Sequence, residues 1–226
     1  MQLYIMPVIQ LQNVRVVQQG QPILVDANTE INQGEFVYLT GHTEAEKRAL
    51  FRLIIFEELP DAGMVVVGEY DSQQIRKTDI PRLRRQVGVI FQDFKLLHHR
   101  TIYENVAFAL EVTGVSRRKI KRKTQAILSD VDLLHKRNAY PDVLSGDEQL
   151  RVAIARALVN DPFVLLADEP TANLDSEATE HVMAIFQKMN VRGIAVVIAT
   201  HDAALKDRYP RRILQLKKEA IEQIIN

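Results

Sequence analysis

The sequence contains no cysteine in its 226 residues. That excludes disulfides, thiol catalysis and cysteine-bound metals, and it suits a reducing compartment. There is no surplus of charge either. The 29 Lys and Arg are matched by 29 Asp and Glu, so no global field draws the chain to nucleic acid or to an anionic membrane. No apolar run approaches the ~18 residues that a membrane-spanning helix requires. Residues 1–11, MQLYIMPVIQL, lack a basic start and are interrupted by Pro7, so they do not read as a signal peptide. Repeats and low-complexity tracts are absent as well. The expectation is a cytoplasmic chain of one large domain, long enough to bury a substantial core without covalent staples.

Periodicity and turn residues divide the chain. Residues 8–11, 14–17 and 23–31 alternate as strands, with turns at Gly20 and at Asn32-Gln33-Gly34. Residues 36–40 form a buried strand, 44–58 a helix, 64–70 an edge hairpin, and a helical segment starts near Ile80-Pro81. A second buried strand covers 87–91. The pattern from 93 to 157 is helical, with helices over 102–110, 119–131 and 146–158. Two further apolar runs, 163–167 and 194–200, read as buried parallel strands that end in polar residues, and ligand groups collect at such carboxyl ends in open α/β sheets. The basic run RRKIKRK at 117–123 has no interleaved aromatic residue, so it reads as a solvated helix face and not as a nucleic-acid site.

The stretch that organises the chain is LTGHTEAEKRAL, residues 39–50. A strand, a glycine and a lysine entering a helix mark a phosphate-binding loop, and Gly41 and Lys47 keep the spacing of G-x-x-x-x-G-K-[ST]. The other positions depart from it. Glu46 stands where the second glycine belongs, Arg48 replaces the Ser or Thr that holds Mg²⁺, and Glu44 adds another carboxylate. Thr43-Glu44-Ala45-Glu46 instead matches the capping box S/T-x-x-E, in which Thr43 and Glu46 satisfy the N–H groups a phosphate would otherwise bind, and starts the helix about one turn early.

Four more blocks accompany the loop: VIFQD, with Gln92 after a strand; LSGDEQLRVAIARAL, opening a helix; VLLADEPTANLD, with Asp168 and Glu169 after a strand; and VVIATHD, with His201 after another. In this order and spacing they resemble the nucleotide-binding subunit of an ATP-binding cassette (ABC) transporter across nearly the whole chain. RRQVGVIFQDFKLLHHRTIYENVAFALEVTG is most similar to the FtsE-type cell-division cassettes, with the lipoprotein-release and macrolide-export cassettes as close relatives. The resemblance implies an α/β fold: a RecA-like P-loop NTPase core, about 1–92 and 157–226, with an antiparallel β subdomain and an inserted helical subdomain, about 93–156.

The resemblance also implies roles. ATP and Mg²⁺ would be the cofactors. Gly41, His42, Thr43, Glu44, Ala45, Glu46, Lys47 and Arg48 occupy the phosphate-loop positions, with Lys47 on the β- and γ-phosphates. Asp168 and Gln92 would hold Mg²⁺. Glu169 would activate water, and Gln92 and His201 would sense the γ-phosphate. Ser145 and Gly146 would close on ATP bound to the other subunit of a dimer, with Asp175 at the seam. The implied partners are a second copy, or an intact cassette in a heterodimer, and an FtsX-like integral membrane protein that would hold the chain at the inner face of the membrane. No nucleic acid is expected.

The departures act against the nucleotide. A triphosphate carries several negative charges, and one unit repulsion at about 4 Å with an effective dielectric near 20 costs up to ~4 kcal/mol, nearly three decades in affinity. Glu44 and Glu46 both face that penalty. Asp147 replaces the second glycine of LSGGEQ, and no aromatic residue lies between Met6 and Glu35 to stack on adenine. The expectation is that Glu44 or Glu46 neutralises Lys47 as an internal phosphate mimic, while Arg48 takes the metal's place by pairing with Asp168 or Glu169. The competing reading is an ATP-hydrolysing cassette whose Arg48 faces solvent.

Overall fold

The computed structural model describes residues 7–41, 43–217 and 220–224. Strands β1 (Pro7–Gln18), β2 (Gln21–Asn32), β4 (Ala62–Val67) and β5 (Tyr70–Asp71) form an antiparallel sheet in the order β2-β1-β4-β5. Strands β3 (Phe36–Gly41), β6 (Val87–Ile90), β7 (Val164–Asp168), β8 (Ala195–Ala199), β9 (Arg212–Lys217) and β10 (Ala220–Ile224) form a second sheet, ordered β10-β9-β3-β8-β7-β6. That sheet is parallel except for the terminal β9–β10 pair.

The parallel strands are apolar without interruption because both faces are buried. Phe36 and Tyr38 face one core, and Val37 and Leu39 face another. Leu165 and Ala167 divide in the same way from Val164 and Leu166. Against one face pack α1 (Glu44–Ile54) and the antiparallel sheet, through Leu50, Leu53, Ile54, Leu11 and Val65. Against the other pack α3 (Ile102–Glu111), α4 (Arg117–Asp130), α5 (Gly146–Leu158) and α6 (Ser176–Val191), through Val106, Leu128, Ile154 and Phe186. Helices α2 (Ile80–Gln86) and α7 (Ala203–Arg208) are short connectors. No helix among the described residues is long and apolar enough to cross a membrane.

Some expectations are corrected. Residues 8–17 form one strand and not two: the chain continues through Asn13, which takes a φ of 49° at a break in register. Helix α1 stops at Ile54, short of 58, because Phe56 adopts a φ of 47° and breaks the right-handed spiral. Helix α6, α7 and the β9–β10 pair have no counterpart in the sequence reading. For α6 the signal was present. Asp175 caps it, accepting from the Ala178 amide at 2.8 Å, and Val182, Met183, Phe186 and Met189 repeat on one buried face. The basic run lies on α4, with Arg117, Arg118, Lys119, Lys121 and Arg122 exposed.

Two polar devices shape the loop after β6. Arg156 of α5 donates at 2.6 Å to the carbonyls of Phe94 and of Lys95, both residues at positive φ. Asn105, fully buried, donates to the carbonyls of Leu97, Arg100 and Thr101 and accepts from the Leu97 amide. Far from these, at the end of α4, Asp130 clasps α6 through Lys188 and Arg192, each at 2.8 Å. The Arg192 hydrogen bond, against the opposing cost of burial and with help from Lys188, lowers the Asp130 pKa to about 2. An unfolded aspartate titrates near 3.9. A depressed folded pKa stabilises the protein above the unfolded value, and that stability is lost as the pH falls toward the folded one. Urea denaturation of Asp130→Asn as a function of pH is therefore expected to show less loss of stability than the parent between pH ~4 and ~2. Parallel curves for the two proteins would refute the clasp.

Candidate functional site

The carboxyl ends of β3, β6, β7 and β8 lie along one edge of the parallel sheet, and they bring Gly41, Gln92, Asp168, Glu169 and His201 to that edge. After β3 the helix begins at once. Thr43 is the N-cap of α1: its hydroxyl accepts from the Glu46 amide at 3.2 Å, and the Glu46 carboxylate accepts from the Thr43 amide at 3.2 Å. The capping box is thus formed, and the first turn takes in Glu44 and Glu46 ahead of Lys47. A Cβ built on Gly41 would lie 3.1 Å from the Glu46 carboxylate. Glu46 therefore folds back over the glycine, into the concavity where a phosphate loop keeps open space. His42 lies outside the described residues, and Ala45 is exposed.

Lys47 is buried, with 1% of its surface exposed. Its ammonium sits 2.7 Å from Glu44 Oε1, 2.8 Å from Glu169 Oε1 and 2.8 Å from His201 Nε2. Burial alone would depress the lysine, but the bonds to Glu169 and Glu44 outweigh it and hold the ammonium above the ordinary lysine value. The same contact lowers Glu44, with His201 assisting against a smaller cost of burial. Glu169 is fixed from several sides. It takes a φ of 44°, its amide donates to the Ala199 carbonyl at 2.9 Å, and its Oε1 accepts from the His201 amide at 3.0 Å. A non-glycine residue in that region costs about 1–3 kcal/mol, which the surrounding bonds must hold in place.

Asp168, at the end of β7, is 7% exposed. Burial, and then the charge of Glu44, raise its pKa above the usual carboxylate value. Its Oδ2 lies 3.9 Å from Arg48 Nε, and its Oδ1 has no hydrogen-bond partner among the described residues. The expected pairing of Arg48 with Asp168 is present, but with 59% of its side chain exposed and no hydrogen bond to Asp168, Arg48 makes only a screened ion pair there. The neutralising carboxylate for Lys47 is that of Glu44, while Glu46 serves the cap. Gln92 is exposed and lines, with Arg48, Asp168, Phe51, Arg52 and Phe91, a cavity of about 540 Å³.

The structure does not bring Ser145, Gly146 and Asp175 into this cluster. They lie at the starts of α5 and α6, where Asp147 and Asp175 line a separate open depression. There Asp147 accepts from the Ser145 hydroxyl at 2.5 Å and pairs with Arg151 at 3.0 Å. Burial would raise its pKa, but these partners lower it. The carboxylate that replaces the second glycine of LSGGEQ is thus internally matched and also holds the serine. Arg156, which fixes the loop after Gln92, went unread in the sequence. Its signal was a lone arginine within the apolar run VAIARAL.

A P-loop-type cassette is the class of protein that this edge, with its five blocks, defines. The family described as ABC transporter matches residues 24–172, and the chain belongs to it. Within that family it is FtsE-like. It is 45% identical to the cell division ATP-binding protein FtsE of Mycobacterium tuberculosis over 87% of this chain and 86% of that one. It is 44% identical to the FtsE of Escherichia coli over 87% and 89%. Among solved structures, a dimeric ATP-binding cassette in a post-hydrolysis state bound to ADP and Pi superposes with a TM-score of 0.83 at 31% identity, covering 96% of this chain and 98% of that one. The cbiO1 protein of Clostridium perfringens, part of an ABC transporter complex, superposes at 0.88 and 26%, covering 96% and 88%.

If the capping box is what starts α1, Thr43→Ala is expected to destabilise the protein by about 1 kcal/mol, measured by urea denaturation. A change indistinguishable from zero would mean that the helix start is held by other contacts.

Proposed function

We propose that the chain is the cassette subunit of an FtsEX-like complex acting in cell division and cell-wall remodelling, and that it couples to its membrane partner without productive turnover of ATP. The observation that carries the second half is the saturation of the Lys47 ammonium by Glu44, Glu169 and His201 at 2.7–2.8 Å. A lysine that grips phosphate needs free donors, and phosphoryl transfer needs a cation, a metal and a held water converging on one group. Here the cation is spent, and Glu46 lies over Gly41. Strands β1 and β2 offer no ring for adenine. The residues present do not fit a nucleoside triphosphate.

A second reading, an ATP-hydrolysing cassette, is favoured by one feature. Asp168 Oδ1 is an unused buried acceptor on the edge where Gln92 also stands, which fits a Mg²⁺ ion even though the phosphate side does not fit. Calorimetric titration of ATP with Mg²⁺ decides between the two. The native chain is expected to show no binding tighter than millimolar, and the revertant Glu44→Gly, Glu46→Gly, Arg48→Ser, Asp147→Gly is expected to gain binding. Micromolar binding by the native chain would restore the hydrolytic reading.

The partner in this proposal is an FtsX-like integral membrane protein, which would place the chain at the inner face of the membrane, as a homodimer or beside an intact cassette. The docking surface in this proposal is at the segment after β6, where Phe94, Leu96 and Leu97 stand. Leu96 is buried and Phe94 packs on the helical core. Of these three, only Leu97 lines the adjoining groove of about 440 Å³, beside the exposed rings of Phe91 and Phe108. That groove lies between β6 and the helices of residues 93–156, which we take as the inserted subdomain of a single cassette domain. An apolar cytoplasmic segment of the partner suits it. Phe108→Asp is expected to abolish co-purification with the FtsX-like protein while leaving the circular dichroism spectrum unchanged; retained co-purification would place the docking surface elsewhere.

A further inference from the structure

We propose that the groove between β6 and the helices of residues 93–156 takes an acidic, amphipathic segment of the membrane partner. An apolar side chain of that segment lies against the rings of Phe91 and Phe108, and carboxylates beside it meet Arg85 and Lys95. This rests on the docking surface proposed above and adds to it the sign of the partner's charge.

The lining of the groove carries that sign. Its apolar part includes Ile55, Val89, Phe91, Leu97, Phe108 and Ala157. Four cations line it as well, Arg84 and Arg85 of α2, Lys95 of the loop after β6 and Arg156 of α5, and no carboxylate does. The chain as a whole has no net charge. The positive lining is therefore a local feature, made where two helices and a loop meet beside β6, the terminal strand of its sheet.

The arginines lack counter-charge. Arg84 donates to the carbonyls of Ile55 and Phe56 at 3.0 and 3.1 Å, Arg85 to that of Val112 at 3.4 Å, and Arg156 to those of Phe94 and Lys95 at 2.6 Å. Carbonyls satisfy donors but neutralise no charge, and none of the three arginines pairs with a carboxylate among the described residues. Burial, with nothing to oppose it, holds the Arg156 guanidinium below its ordinary value. Two acids close by in the chain are already engaged. Asp93 pairs with Lys95 at 2.6 Å, both side chains being mostly exposed, and Glu111 lies 3.8 Å from Arg100, whose guanidinium covers the Phe108 ring at 4.5 Å. Cations left without counter-charge against apolar surroundings are costly, and carboxylates brought by a partner offset that cost. A concavity walled by a strand and helices admits a protruding segment, as in helix-in-groove recognition, whereas a flat anionic bilayer does not reach into it.

The test is affinity for the FtsX-like partner held in nanodiscs of zwitterionic lipid. It is measured for the native chain, for Arg85→Glu with Lys95→Glu, for Arg85→Gln with Lys95→Gln, and for Phe108→Asp, with circular dichroism as the check on folding. The glutamate pair is expected to weaken binding ~100-fold or more and the glutamine pair ~10-fold, and native binding is expected to fall as salt is raised from ~50 to ~500 mM. Changing the cytoplasmic Asp and Glu residues of the partner to Lys, one at a time, is expected to restore binding of the glutamate pair at one position or more. The proposal is overturned if the glutamate pair binds as tightly as the native chain, or if no change in the partner rescues it. It is also overturned if phosphatidylglycerol vesicles without the partner bind the chain through Arg85 and Lys95, which would make the groove a lipid site. Loss of binding in Phe108→Asp beside full binding of the glutamate pair would sink the charge inference and leave the docking surface standing. Full binding of both would sink the two together.

Discussion

A buried ammonium needs buried counter-charge, and the bonds among Lys47, Glu44, Glu169 and His201 supply it. They join the first turn of α1 to the ends of β7 and β8, so three separately folded segments meet at one charge. Stranding either member of such a pair typically costs about 3–5 kcal/mol, which makes the cluster a constraint on the fold as well as on the site. Much of the local geometry follows from it. Glu169 is held at a strained φ, its carboxylate is shared between the lysine and the His201 amide, and Glu44 lies one helical turn ahead of Lys47, where a side chain reaches its i+3 neighbour.

In the proposed reading, the same residues occupy the groups that an anion would use at this edge. Helix N-termini attract phosphate because their first N–H groups are unpaired. Here Thr43 and Glu46 take those donors, and Glu46 covers the glycine. The start of α5 repeats the pattern. Glu148 accepts from the Ser145 amide at 3.2 Å, and Asp147 occupies the Ser145 hydroxyl. Both helix starts that would face a nucleotide in a cassette have become self-satisfied. At the loop cluster, the carboxylates of Glu44, Glu169 and Asp168 face the cations of Lys47 and Arg48. At the start of α5, Arg151 and Lys136 balance the acids.

Local patterns carried much of this into the sequence. Both-face burial turned the parallel strands into uninterrupted apolar runs, so β3, β6, β7 and β8 were readable, and the capping box at Thr43 and Glu46 needed only residues three apart. Segments stabilised by tertiary partners were harder to read. Helix α1 ends at a positive φ that Phe56 does not announce, β1 runs through an irregular Asn13, and β9 becomes a strand by pairing with β3, and β10 by pairing with β9. The departures at Glu44, Glu46, Arg48 and Asp147 were visible as letters, but what each would bond to was not.

By itself the sequence determined the family, the buried parallel strands of the core and the set of residues at the strand ends, because apolar period, cap chemistry and motif spacing are local properties. Only the tertiary structure decided that Glu44, and not Glu46, neutralises Lys47, that Arg48 makes only a screened pair with Asp168, that Asp147 is matched by Arg151, and that one Asp168 oxygen has no partner among the described residues. Which of several nearby charges wins a contact depends on distances between segments far apart in the chain, and ångström differences there change an ion pair from a bonded contact at 2.7 Å to a screened one at 3.9 Å.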